Sequence, residues 1–134
     1  MMDAATYFSA KLRHETDPSD VHEAQRAGRT MTLVDVRSEA AWNRGRVTGA
    51  VHLPHREITA RAAAEIDRAT PVVVYCWGPG CNAGAKAALA FATAGYDVRE
   101  MIGGYEYWAR EGLPTEDDSG PLPRRFDPLT MVVR

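Results

Sequence analysis

Cysteine is scarce in this chain. Only two occur among its 134 residues, Cys76 and Cys81. Both lie in one short loop, which excludes a framework of long-range disulfides. No apolar run approaches the length of a membrane span. The opening Met1-Met2-Asp3-Ala4-Ala5-Thr6-Tyr7-Phe8 lacks the charged-then-apolar pattern of a signal peptide, so the cytoplasm is the expected compartment. A dominant sign of charge is also missing. Sixteen basic and 18 acidic residues leave a net charge of -2, which gives no reason to expect nucleic acid or an anionic membrane as partner. Histidines number four, and His52 and His55, flanking the Pro54 region, do not space with the cysteines as a zinc finger does. No metal and no cofactor are expected. The remainder, 45% hydrophobic and 25% charged, is ordinary for one globular domain long enough to bury a core.

The chain is organised around Val72-Val73-Val74-Tyr75-Cys76-Trp77-Gly78-Pro79-Gly80-Cys81-Asn82 and the alanine-rich run from Ala83 to Ala94. The β-branched residues are apolar at both alternations, as in a strand buried on both faces of a parallel sheet. Gly78, Pro79 and Gly80 turn the chain. The alanine-rich run has high helix propensity and Gly95 caps it. Cys76 therefore stands where a central strand ends and faces the start of the next helix. Backbone N–H groups and the helix dipole favour an anion there, so the thiol is expected to have a lowered pKa and to act as a nucleophile.

Elsewhere the pattern alternates. Ala4 to Lys11 reads as a short helix with Tyr7, Phe8 and Leu12 as apolar contacts, and Leu12 to Glu15 as a short edge strand. Thr16-Asp17-Pro18 opens a second helix that runs to Ala27 and stops at Gly28. Thr32 to Val36 is a strand. Ser38 caps a short helix, Glu39 to Asn43, closed by Gly45. Gly49 to Leu53 is a strand, and Thr59 to Arg68 a helix that buries Ile58, Ala62 and Ile66. Tyr96 to Met101 is the last strand. Gly103 and Gly104 form a turn, and Tyr105 to Glu111 a helix with Tyr105, Tyr107 and Trp108 on its core face. Such alternation implies a parallel sheet covered on both faces, with ligands at the C-terminal strand edge. Residues 1–114 form the domain. Residues 115–134 read as a tail: a loop from Glu116 to Pro121, an extended arm from Arg124 to Pro128, and apolar Leu129, Met131, Val132 and Val133 set to pack on the domain or on a second copy.

Four motifs stand in a familiar order: Asp35-Val36-Arg37 with Glu39; Gly45-Arg46-Val47-Thr48-Gly49-Ala50-Val51-His52-Leu53-Pro54; Val73-Val74-Tyr75-Cys76; and Gly95-Tyr96-Asp97-Val98 with Met101-Ile102-Gly103-Gly104 and Trp108. Over roughly residues 12 to 114 the chain resembles the rhodanese-like domains. The resemblance implies an α/β fold, a five-stranded parallel sheet with helices on both faces. It also implies a sulfurtransferase whose cysteine takes sulfane sulfur from a small donor such as thiosulfate or a persulfide. A persulfide forms on that cysteine and passes to cyanide or a thiol. Cys76 is the position that would carry it.

The loop departs from the family pattern. Many members read C-x-x-G-x-R-S, with the arginine helping to bind the anionic donor. Here Cys76-Trp77-Gly78-Pro79-Gly80-Cys81-Asn82 holds no arginine or lysine before Lys86, and alignment through Lys86-Ala87-Ala88 makes the loop two residues longer. Arg46 and Thr48 replace the histidine and proline of the usual GHIPGA segment. Cys81 is either a resolving thiol for Cys76 or a bystander. Trp77 packs the loop or walls a pocket, Gly78 and Gly80 let amides converge on Cys76, and Asn82 caps the helix or meets a ligand. Asp35 and Arg37 are expected to support the loop by hydrogen bonds. A related phosphatase branch ends a lengthened loop in arginine. The residue six after Cys76 is Asn82, which cannot neutralise a phosphoryl transition state. The alternatives to sulfur transfer are a non-enzymatic interaction module and a thiol–disulfide sensor using Cys76 and Cys81. Either a monomer or a homodimer is compatible with the apolar tail.

Overall fold

In a computed structural model, residues 1–130 are described. The elements follow as α1 (Ala4–His14), β1 (Glu15–Thr16), α2 (Pro18–Arg26), β2 (Thr32–Asp35), α3 (Glu39–Arg44), β3 (Arg46–Val47), β4 (Val51–His52), a 3-10 turn (His55–Glu57), α4 (Ile58–Glu65), β5 (Val72–Tyr75), α5 (Ala83–Thr93), β6 (Val98–Met101), α6 (Gly104–Arg110), β7 (Thr115–Asp117) and β8 (Gly120–Pro121). The main sheet has five strands in the order β1-β6-β5-β2-β4, every pairing parallel. The strand that ends at Cys76 is therefore the middle one.

Side chains alternate across this sheet as a two-residue period requires. Val34, Val72 and Val74 face one side, where Ile58, Ala62, Ala87 and Phe91 of α4 and α5 cover them. Leu33, Val73 and Tyr75 face the other, against Val21 of α2 and Trp108 of α6. Apolar residues at every β5 position are thus explained by two layers rather than one.

Several boundaries differ from expectation. α1 continues to His14, so the edge strand holds only Glu15 and Thr16. Tyr7, Phe8 and Leu12 are not buried contacts: they are 51%, 55% and 77% exposed, because α1 lies along the β1 edge with that stripe turned outward. α4 stops at Glu65, because Ile66 is extended and the Asp67 side chain binds the backbone N–H of Ala69 instead. β6 starts at Val98; Tyr96 turns inward and donates its hydroxyl to the Ala62 and Ile66 carbonyls.

Residues 116–121, expected as a loop, form part of a hairpin. β7 pairs antiparallel with β3 on one side and β8 on the other, giving a second three-stranded sheet. Arg46 holds it: the guanidinium stacks 4.2 Å from the Trp42 ring centroid and donates to Asp118 at 2.6 Å. Beyond the hairpin, Phe126 bridges to Glu111, and the Asp127 amide donates to the Arg110 carbonyl at 2.8 Å. Leu129 is 94% exposed, whereas Met131, Val132 and Val133 lie outside the described residues.

Candidate active site

Cys76 follows β5 directly and is buried. Its carbonyl accepts from the Tyr105 amide at 2.8 Å, and the Trp77 carbonyl accepts from the Glu106 amide at 2.7 Å. The first turn of α6 is thereby docked on the start of the loop. Gly104 makes this approach possible. Its φ is +62°, and a Cβ there would lie 2.6 Å from the Cys76 carbonyl oxygen and 2.8 Å from the Gly78 nitrogen. Gly104, read from sequence with Gly103 as a turn, is thus the seat of the loop.

Cys76 and Cys81 are joined by a disulfide, their Cα atoms 6.6 Å apart and five residues apart in sequence. A turn bond from the Cys81 amide to the Gly78 carbonyl at 3.1 Å closes the loop between them. Of the two loop glycines, Gly78 is packed, since a Cβ would meet the Glu106 carboxylate. Gly80 has open space around it, and neither has positive φ, so convergence of amides does not demand both. Asn82 precedes α5 without a side-chain capping bond; only its carbonyl takes part, accepting from the Lys86 amide at 3.0 Å.

Asp35 and Arg37 meet the loop differently from expectation. Arg37 is fully buried and donates through Nε and Nη2 to both oxygens of Asp35, with Nη2 also reaching the Gly45 carbonyl at 2.6 Å. No hydrogen bond from the pair enters the loop. Instead the guanidinium carbon lies 4.5 Å from the Trp77 ring centroid and 4.3 Å from that of Tyr105, a cation between two aromatic faces. Trp77 is 48% exposed, a lid over buried positive charge. The Tyr75 hydroxyl, which the sequence reading passed over, donates to Asp35 at 2.7 Å and accepts from the Val47 amide. Burial, then the Asp35 charge, pushes its pKa well above the usual tyrosine value. Its position on β5, one residue before Cys76 and opposite Asp35, was the available signal.

A cleft of about 690 Å³ opens on the disulfide at the C-terminal edge of the sheet. Its wall carries Glu15, Asp17, Glu100 and Glu111, with Lys11 as the basic residue. Glu15 and Glu100 are register partners in adjacent parallel strands. Burial, and then Glu15, raises the Glu100 pKa; burial, and then Asp17, raises that of Glu111. These carboxylates were not anticipated, although Glu15 and Glu100 each stand one residue before the end of a strand on this edge.

His52 donates from Nε2 to the Arg37 carbonyl, 2.8 Å away, and stacks on Trp42 at 5.0 Å. Among the described residues no three His, Cys, Asp or Glu side chains gather in a metal-binding cluster, and no helix is long and apolar enough to cross a membrane.

A parallel sheet with a cysteine loop at the end of its middle strand, seated on Gly104, defines a rhodanese-type site. Residues 17–111 match the family described as "Rhodanese-like domain", and the chain belongs to that family. The thiosulfate sulfurtransferase GlpE of Actinobacillus succinogenes is 37% identical over 92 residues, 68% of this chain and 80% of that protein. The HTH-type transcriptional regulator Rv0324 of Mycobacterium tuberculosis is 33% identical over 92 residues; the match spans 69% of this chain and only 40% of the regulator. Among solved structures, the BH2092 protein of Bacillus halodurans superposes with a TM-score of 0.81 at 34% identity, covering 87% of this chain and 86% of that one.

Proposed function

We propose that the chain is a sulfurtransferase in which Cys76 carries a persulfide. The observation that supports this most is the position of its sulfur, at the end of the middle strand and lining a cleft wide enough for a small donor. The Cys76 thiolate attacks the outer sulfur of the donor, the donor's remaining fragment leaves with the electron pair, and a thiol or cyanide later removes the transferred sulfur. No organic cofactor enters this chemistry.

The cleft favours one class of donor over another. Four carboxylates and a single lysine line its wall, and a doubly charged anion such as thiosulfate enters that field against repulsion. A donor of low charge, such as an alkyl or peptidyl persulfide, does not. We therefore place such a persulfide ahead of thiosulfate as the substrate.

Intact mass of the reduced protein after exposure to glutathione persulfide, cysteamine persulfide or thiosulfate tests both points. A gain of one sulfur atom (about 32 Da) that cyanide removes is the expected result, read in Cys81→Ser, where no neighbouring thiol discharges it, and absent in Cys76→Ser. Glutathione persulfide carries about the net charge of thiosulfate, so cysteamine persulfide is the discriminating donor: it should load faster than either, and Glu100→Gln should narrow the gap. No gain from any of these donors in Cys81→Ser, in which no loop disulfide can form, overturns the proposal. The disulfide itself favours a second reading, a thiol–disulfide couple, which predicts a loss of about 2 Da under mild oxidation with no sulfur donor present and no sulfur gain in Cys81→Ser.

A further inference from the structure

Cys81 lies five residues after Cys76 in the loop, and its sulfur reaches that of Cys76. We infer that Cys81 resolves the Cys76 persulfide and that the protein is a sulfide-releasing persulfide reductase. This inference rests on the persulfide chemistry proposed above and assigns the fate of the sulfur. Both cysteines line the same cleft, so a sulfur borne on Cys76 is within the reach of Cys81 as well as of a diffusing acceptor. The turn from Gly78 to Cys81 brings the second thiol back over the first across only five positions, and α5 begins two residues after it. An intramolecular thiol has a large advantage in effective concentration over a free one.

The step balances as follows. The Cys81 thiolate attacks the inner sulfur of the Cys76 persulfide, a new S–S bond forms between the two Sγ atoms, and the bond to the outer sulfur breaks. The outer sulfur leaves with the electron pair as hydrosulfide. The two cysteine sulfurs end oxidised as the disulfide and the transferred sulfur ends reduced. Two equivalents of a thiol reductant, or one dithiol, then restore both thiols and are themselves oxidised to a disulfide. Over a full cycle one persulfide and two thiols yield one thiol, one sulfide and one disulfide. The acidic wall suits this outcome. Glu15, Asp17, Glu100 and Glu111 line the cleft around the two cysteines, and their negative charge disfavours retention of the anionic product.

The experiment is a single turnover under anaerobic conditions. Reduced protein, freed of reductant, is mixed with one equivalent of glutathione persulfide and desalted, and mass and free sulfide are followed in time for wild type, Cys81→Ser and Cys81→Ala. The wild type should release about one sulfide per chain and finish about 2 Da below its reduced mass, while both variants keep a cyanide-labile persulfide for at least about tenfold longer. A wild-type persulfide as durable as those of the variants, or sulfide released equally fast from all three, overturns resolution by Cys81 and leaves the sulfurtransferase reading standing. Absence of loading in all three proteins overturns that reading and this one together.

Discussion

Arg37 concentrates several constraints in one side chain. Its charge is buried against Asp35, and the two rings above it, Trp77 and Tyr105, belong to the loop and to α6. Removing one member of a buried pair leaves the other uncompensated, at a cost of about 3–5 kcal/mol. Asp35→Asn is expected to lose stability of that order, read as a lower urea midpoint, and to change Trp77 fluorescence because the cation beneath the ring is displaced. Glu100 makes the opposite case. Its pKa is raised, so the fold favours its protonated form; the stability this group gives is present in acid and is lost as pH rises through the raised value. Glu100→Gln should therefore raise the urea midpoint at pH 7, and the difference should vanish below the ordinary carboxylate range. At this scale the sequence was readable where position implied chemistry. Asp35 ends β2, Arg37 lies two residues past it, and Cys76 directly follows β5, all on one edge. What Arg37 does there was not readable, because a cation between two rings depends on Tyr105, nearly seventy positions away.

Helices and strands are short here, so their placement depends on contacts at their ends. Ser38 caps α3 and Asp17 caps α2, and both were legible because capping is a local rule. The docking of α6 was not legible, since it uses backbone amides against the carbonyls of a distant loop. Gly104 is the test of that docking. A left-handed φ costs a non-glycine residue about 1–2 kcal/mol, and the added Cβ would also strike backbone atoms of Cys76, Trp77 and Gly78 that cannot swing away. Gly104→Ala should lower stability by more than that strain alone and slow persulfide loading at Cys76. Gly80→Ala, in open space, should leave both nearly unchanged. Equal effects from the two substitutions would dismiss the view of Gly104 as the loop's seat.

At the scale of the whole molecule, the described residues form two sheets, of which the periodicity of the sequence announced one. Valine runs reported the parallel sheet; the second is built from pairs of two and three residues with charged and turn-forming side chains, below the length at which alternation is recognisable. Truncation after Pro114 should strip β7 from β3, expose Val47, and lower the urea midpoint, the burial of one valine being about 1.5–3 kcal/mol. An unchanged midpoint would show the hairpin to be dispensable. The topology also has a temporal side. β1 pairs only with β6, with Glu15 opposite Glu100, so the first strand of the chain waits for one of the last. Those residues are 85 positions apart, and at about 5–20 residues per second a ribosome needs roughly 4–17 seconds to deliver the partner. Throughout that interval α1, with Tyr7, Phe8 and Leu12, has no sheet edge to lie along. A nascent chain stalled before Val98 should therefore expose its N-terminal helix to protease, and one released past Met101 should protect it.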